Sequence, residues 1–309
     1  MESVTMSSGR SLNEVLRSHE QWLDGAGTAF RAILDRETLN GLTLGALNLR
    51  GAILRGVALL DCDLSGSDLS DAIIDGAGFE RAILSNSDLS SAQISEANFA
   101  FCWMPACQLT DARLRGTNFQ KANLRGGRMQ GALIEGCKFR GAELSESALH
   151  QTRISVSDFS ECDLHKAQFL RAQLTVCRFV GAQGAGANFG HAVLKSCDFA
   201  RSDLTGAQLT YADLTGSEFD RSGMHDCDLR QADLKNVKFG QADLSYARFR
   251  GANLAAADLR GADLTGAQEL IPAQLAQART DERTILPNGS RGPYSRISGA
   301  ERPAVVIPR

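Results

Sequence analysis

A-N-L-A-A (252–256), A-D-L-R-G (257–261) and A-D-L-T-G (262–266) follow one another without a gap, and their spacing decides the fold. The same register runs back to Leu44: the 45 positions whose numbers end in 4 or 9, up to Leu264, hold 25 Leu, 12 Phe, 4 Ile, 3 Met and Gly184. Two residues before each of these centres the occupant is small, with 23 Ala, 8 Cys and 7 Ser among 45. A period of five is neither the 3.6 of a helix nor the 2 of a plain strand. It fits a short extended side whose small and central residues both face inward, followed by a forced corner. The residue between them faces outward and is often acidic or Asn, as at Asp63, Asp68, Asn123, Asp163, Asp213, Asp233 and Asp263. These outward positions read as a solvated face. The second residue after the centre is Gly in 16 of 45 repeats, which relieves the sterics of a tight corner.

The phenylalanines set the number of sides. Phe79, Phe99, Phe119, Phe139, Phe159, Phe179, Phe199, Phe219 and Phe239 recur every 20 residues, so four pentapeptides make one coil and the rings form a single column. A three-sided coil would scatter them around the perimeter. A second column holds Ile74, Ile94, Leu114, Ile134, Ile154 and Leu174. Stacked at the inter-strand spacing of ~4.8 Å, about eleven coils form a rod roughly 53 Å long, an all-β solenoid that needs caps at its ends.

The runs A-N-L-R-G (122–126), A-D-L-T-G (212–216) and the three quoted above resemble the pentapeptide-repeat family, whose consensus is A-(D/N)-L-x-x. The resemblance covers residues 42–267. It implies a right-handed quadrilateral β-helix and says little about function, because the fold carries unrelated roles.

Outside the repeat, residues 1–10 are polar and read as disordered. Residues 11–41 read as a capping helix and a degenerate first coil. Ser11 and Glu14 form an S-x-x-E capping box, Leu12, Val15, Leu16, His19, Trp22 and Leu23 share one face, and Leu34 and Leu39 already keep the five-residue register although Glu37 breaks the small-residue rule. Residues 268–287 read as a C-terminal cap, with a short helix at Pro272–Ala278 and an extended piece at Thr284–Leu286. Residues 288–309 read as a disordered tail. No stretch is apolar enough to span a membrane and no leader peptide is seen. All eight cysteines occupy the small inward position, as buried substitutes for Ala; Cys177 and Cys197, one coil apart, could approach disulfide distance. Reduced thiols point to the cytoplasm, and 27 Arg against 6 Lys to a bacterial genome rich in G and C.

Nothing in the sequence points to catalysis. His19, His150, His165, His191 and His225 are dispersed and none lies in a nucleophile or metal motif. Gly131, Gly136 and Gly141 are corner glycines rather than a phosphate loop. A filled core leaves no pocket of ligand size, so no cofactor is expected. Charge is segmented: Asp61, Asp63, Asp68, Asp71, Asp75, Glu80, Asp88 and Glu96 face Arg81 alone within 61–99, residues 111–140 carry seven bases against two acids, and residues 198–228 are acidic again, seven to two. An acidic rod could mimic duplex DNA for a type II topoisomerase, as some pentapeptide-repeat proteins do with DNA gyrase. Against this, the repeat totals 26 acids and 23 bases. The basic band lacks the interleaved aromatics of a nucleic-acid binder. One interruption stands apart: Phe101 on a corner, Trp103 on an outward position and Pro105 after a centre, with Ile83 one coil earlier than Trp103. Four exposed apolar residues on a polar rod mark a partner surface unless the N-terminal segment covers them. The expected function is a non-catalytic protein-interaction rod. A gyrase-directed DNA mimic and an exported effector are the alternatives.

Overall fold

The computed structural model describes residues 4–303; the disorder expected of residues 1–3 and 304–309 lies outside the described residues. The chain divides into two compact units, Met1–Thr152 and Arg153–Arg309, built on one plan. The first contains helix α1 (Leu12–Leu23) and strands β1 (Ile53–Arg55), β2 (Ile73–Asp75), β3 (Gln93–Ser95), β4 (Arg113–Arg115) and β5 (Leu133–Glu135). The second contains β6 (Arg153–Ser155), β7 (Gln173–Thr175), β8 (Val193–Lys195) and helix α2 (Pro272–Leu275). Pairing is parallel with a shift of one coil: Leu54 faces Ile74, Ile94 faces Leu114, and in the second unit Ile154 faces Leu174. The protein is a parallel β-solenoid.

Within each unit the strands lie on one face, whose centres are Ile or Leu. They account for about seven turns, fewer than the eleven coils expected. Elsewhere the twenty-residue period is carried by single-residue bridges such as Asp68–Asp88, Asn98–Asn118 and Asp213–Asp233. A side of five residues with a corner at each end has room for little more than one paired residue.

The Phe column is as the spacing predicts. In the first unit Phe79, Phe99, Phe119 and Phe139 stack at centroid distances of 4.6, 5.1 and 5.0 Å. In the second, Phe159, Phe179, Phe199 and Phe219 stack at 5.0, 4.5 and 4.9 Å, all buried. Phe169 and Phe189, on the opposite face of the coil, stack at 4.7 Å and meet Phe179 edge-on. Offset stacks and edge contacts both suit the ring quadrupole. At Gly184, where a centre residue is missing, a β-carbon would lie 3.0 Å from a methyl of Leu204. The neighbouring coil fills the gap.

The corners differ from the sequence reading. All 45 corner residues from 46 to 266 adopt positive φ, between 49° and 71°, whether Gly or not. Glycine therefore does not define the corner. What it adds in places is room above it: a β-carbon on Gly266 would lie 2.7 Å from the Tyr246 ring, which leans over it from the preceding coil. Val156 and Val176 are the costliest corner choices, since β-branched residues are poorly suited to the left-handed region. Both are exposed, at 65% and 53%. Val156→Asn should stabilise the protein by about 1 kcal/mol, because Asn tolerates this region and little apolar burial is lost. Urea unfolding measures it, and a loss of stability would show that Val156 packs against something.

Each unit closes its own end. In α1, Leu12, Leu16 and His19 are buried. The expected capping box does not form: Ser11 makes no side-chain cap and instead bridges Thr5, while the Leu12 amide donates to Val4. His19 Nδ1 accepts the Ala32 amide at 3.1 Å, and burial holds its pKa below the ordinary value against the opposing charge of Glu20. Residues 4–10, which the sequence reads as disordered, are bonded to Glu37 through Ser8 and Arg10. That buried carboxylate accepts the Ser8 amide at 3.2 Å and pairs with Arg10 at 3.4 Å. Burial raises its pKa, but the Ser8 and Arg10 hydrogen bonds outweigh this and leave it lowered.

At the other end, residues 277–287 extend the ladder: Ala256 donates to Gln277, Leu259 to Arg279 and Leu264 to Ile285. Gln274, buried in α2, donates from Nε2 to the carbonyls of Phe249 and Ala252, both at 2.8 Å. Residues 288–303, also expected to be disordered, fold back onto this edge, with Ile285 bridging Arg291 and the Asn288 amide donating to Ala300.

Candidate functional site

The outward Asp and Asn residues are not a merely solvated face. Asp63 Oδ1 accepts the amide of Ser65 at 2.9 Å, Asp68 that of Ser70 at 2.9 Å, Asp88 that of Ser90 at 2.8 Å, and Asn123 that of Arg125 at 3.1 Å. The same bond recurs in the second unit at Asp158, Asp203, Asp213 and Asp263. Each is an Asx turn that satisfies the first amide after the centre. The consensus D/N is thus a structural part of the corner.

At Trp103 this arrangement is exchanged as a unit. Trp103 offers no acceptor, and the residue two further on is Pro105, which has no amide to satisfy. The turn persists without the Asx bond: Trp103 N donates to Ala82 O at 3.0 Å, Trp103 O accepts from Leu84 at 2.7 Å, and Asn86 N donates to Pro105 O at 3.0 Å. The outward position is thereby relieved of its role in the turn. Trp103 is 54% exposed, Ile83, paired with it one coil earlier, 40%, and Phe101 56%, while Pro105 is half-buried. Lys121 Nζ lies 5.6 Å from the Phe101 ring centroid, a cation–π contact at the edge of the patch. Among the described residues, the N-terminal segment from residue 4 leaves these side chains uncovered. Its contacts fall on the first coils, at Phe30, Ala32, Ile33 and Glu37.

The acidic band is placed differently. Asp63 lies on the Trp103 face, Asp68 and Asp88 on the next, and Asp61 and Asp71 on corners; Asp75 and Glu80 follow the centres of two further faces. The band encircles the coil, and within it Asp68 and Asp88 pair directly. Most of these acids are engaged: Asp61 is held below its ordinary pKa by a bidentate bond from Arg81, Asp63 by Ser65, Asp75 accepts Ser95 Oγ at 2.6 Å, and Asn98 donates to Glu80.

Burial raises the pKa of Cys102 and Cys107 to about 12 and of Cys137 to about 11, so these thiols are poor nucleophiles. Cys177 and Cys197 are free thiols that donate to Ile154 O at 3.6 Å and Leu174 O at 3.7 Å, and the neighbouring Cys177 together with burial raises the pKa of Cys197. Among the described residues there is no cluster of His, Cys, Asp and Glu suited to a metal ion, and no helix long and apolar enough to cross a membrane.

A parallel solenoid of four-sided coils with an Asx turn at its corners defines a class of repeat protein, and sequence comparison gives the family. Models described as "Pentapeptide repeats (8 copies)" match residues 38–71, 46–81, 62–100, 106–141, 197–236 and 232–267, and one described as "Pentapeptide repeat region" matches 132–209. The chain belongs to the pentapeptide repeat family. Among solved structures it is similar to HetL, a pentapeptide repeat protein involved in heterocyst differentiation regulation from the cyanobacterium Nostoc sp. strain PCC 7120, at 22% identity, with 91% of this chain and 98% of that one covered and a TM-score of 0.28. A pentapeptide repeat protein of the Arabidopsis thaliana thylakoid lumen matches at 26% identity over 33% of this chain and 70% of that one, with a TM-score of 0.29. A trypsin-treated variant of QnrB1, a plasmid-mediated fluoroquinolone resistance protein, matches at 20% identity over 72% and 89%, with a TM-score of 0.28. Among curated proteins no match was found. The family assignment rests on the repeat models.

Proposed function

We propose that the protein is a non-catalytic scaffold that binds another protein through Ile83, Phe101, Trp103 and Pro105. The observation that supports this is the coupled exchange at 103 and 105. The fold itself calls for an Asx acceptor and an amide there, and the chain replaces both with apolar residues, of which Trp103 remains exposed and Pro105 half-buried. Aromatic anchors of this kind dominate interface energetics, and losing one often costs 2 kcal/mol or more, about thirtyfold in affinity. Wild type and Trp103→Asp, each immobilised and exposed to lysate, test the reading. The variant should lose the captured partner while its melting temperature stays within about 1 °C, since surface changes rarely exceed ~0.5 kcal/mol. Retention of the same partner by a folded variant would sink the proposal.

A gyrase-directed DNA mimic is a second reading, favoured by the direct pairing of Asp68 with Asp88. It is opposed by the engagement of neighbouring acids in turns and pairs, which gives them a role in the fold. A supercoiling assay separates the two: inhibition that survives Trp103→Asp and is lost with Asp68→Asn and Asp88→Asn would favour mimicry.

A further inference from the structure

The sequence expectation of no ligand-sized pocket applies to the filled interior, but grooves form outside it between corners of successive coils. One, of about 700 Å³ in the second unit, includes Arg201 and Arg221 on its wall and Asp281 and Arg283 from the C-terminal cap. Its carboxylates are already engaged. Asp258 holds Arg260 through both oxygens, at 2.8 and 2.5 Å; Asp281 accepts the Gly261 amide at 2.9 Å and Asp220 the Gly240 amide at 2.7 Å. Lys238 is paired with Glu218. Among the described residues, Arg201, Arg221 and Arg283 take part in no ion pair.

The placement of the first two is informative. Residues 198–228 carry seven acids and two bases, and both bases sit in one corner column, a single coil apart. Their amides donate to Asp220 O at 3.0 Å and Gly240 O at 2.8 Å, which fixes them in successive coils. Like charges facing each other across paired strands are destabilising, yet the abundant acids of this stretch do not neutralise them.

We propose that this groove binds an oligophosphate, with the guanidinium groups of Arg201 and Arg221 donating to neighbouring phosphoryl groups and Arg283, which lies beside Gly261 two coils further along, adding positive charge at the far end. Guanidinium matches phosphate oxygens bidentately. A single small anion at one exposed guanidinium gains little in water, whereas a chain of phosphoryl groups can follow a column whose members repeat at ~4.8 Å. This reading is independent of the Trp103 surface.

Calorimetric titration of the full chain with inorganic tripolyphosphate at low salt is the test. Saturable binding is expected, weakened at least tenfold in Arg201→Gln/Arg221→Gln and unchanged in Arg113→Gln/Arg115→Gln, which removes two bases from the first unit. The groove double variant should melt at the same temperature as wild type or higher, because a like-charge contact is relieved. ATP in place of tripolyphosphate identifies the source: tighter binding assigns a nucleotide and comparable or weaker binding an inorganic oligophosphate, and either supports the site. No binding to wild type, equal loss in both double variants, equal affinity for sulfate at matched ionic strength, or a lowered melting temperature in the groove variant would each overturn it.

Discussion

Phe179→Ala should destabilise the protein by about 3–5 kcal/mol, as expected for truncation of a buried phenylalanine. Phe179 has no exposed edge and four ring neighbours: Phe159 and Phe199 stacked on its faces, Phe169 and Phe189 against its rim. The rings at 159 and 199 are fixed by their own coils, one on either side. They cannot close on the vacated space without breaking backbone hydrogen bonds such as Phe179 N to Asp198 O. A site that cannot collapse lies at the upper end of the cavity penalty. Phe179→Leu, which keeps most of the volume, should lose less than half as much. Chemical denaturation of the three proteins provides the measurement, and equal midpoints for wild type and the Ala variant would remove the Phe column from the core.

Gln274→Ala should cost about 2–4 kcal/mol, although it deletes a polar side chain at the end of the solenoid. One amide serves three backbone groups there: Nε2 donates to Phe249 and Ala252, and Oε1 accepts the Ile271 amide at 2.9 Å. Phe249 O also accepts the Ala252 amide at 2.9 Å, but Ala252 O and the Ile271 amide have their bonds from Gln274, and each buried polar group left unsatisfied costs about 1–3 kcal/mol. Gln274→Glu should be at least as damaging, since a carboxylate would face two carbonyl oxygens. Hydrogen exchange localises the effect: amides of residues 249–287 should lose protection before those of Phe179 and its neighbours. Uniform loss would mean that the cap and the coils open together.

The coil was legible from spacing alone because each interior position has a single steric requirement, met by Ala or Cys at the small site and by Leu, Phe or Ile at the centre. Phe169 and Phe189 could have been read from the same spacing, since they too are 20 residues apart. The outward aspartates were misread because an exposed carboxylate and an Asx-turn acceptor have the same sequence signature. Their partner is a backbone amide, which every residue except proline supplies. Glu37 illustrates the converse. It broke the small-residue rule, and that violation marks the anchor that bonds Ser8 and Arg10. Ile83, Phe101, Trp103 and Pro105 were visible as departures from the repeat, and the structure leaves three of them well exposed. The reason Pro105 accompanies Trp103 appears only once the Asx bonds are seen. The arginine groove could not be read from the chain, since it combines a column of period 20 with Arg283, which lies beyond the repeat.

The left-handed corner at every fifth residue also bears on how such a chain can change length. Each pentapeptide satisfies its own turn and takes its remaining backbone partners from residues about 20 away. Gain or loss of 20 residues would therefore restore every column to itself. Gain or loss of five would keep each turn intact but rotate all later sides by a quarter of a coil, moving phenylalanines beneath leucines. Gain or loss of one would turn the interior outward. Evolution of this chain is thus framed twice, once by the codon and once by the coil, and only insertions or deletions that respect both frames leave its core in register.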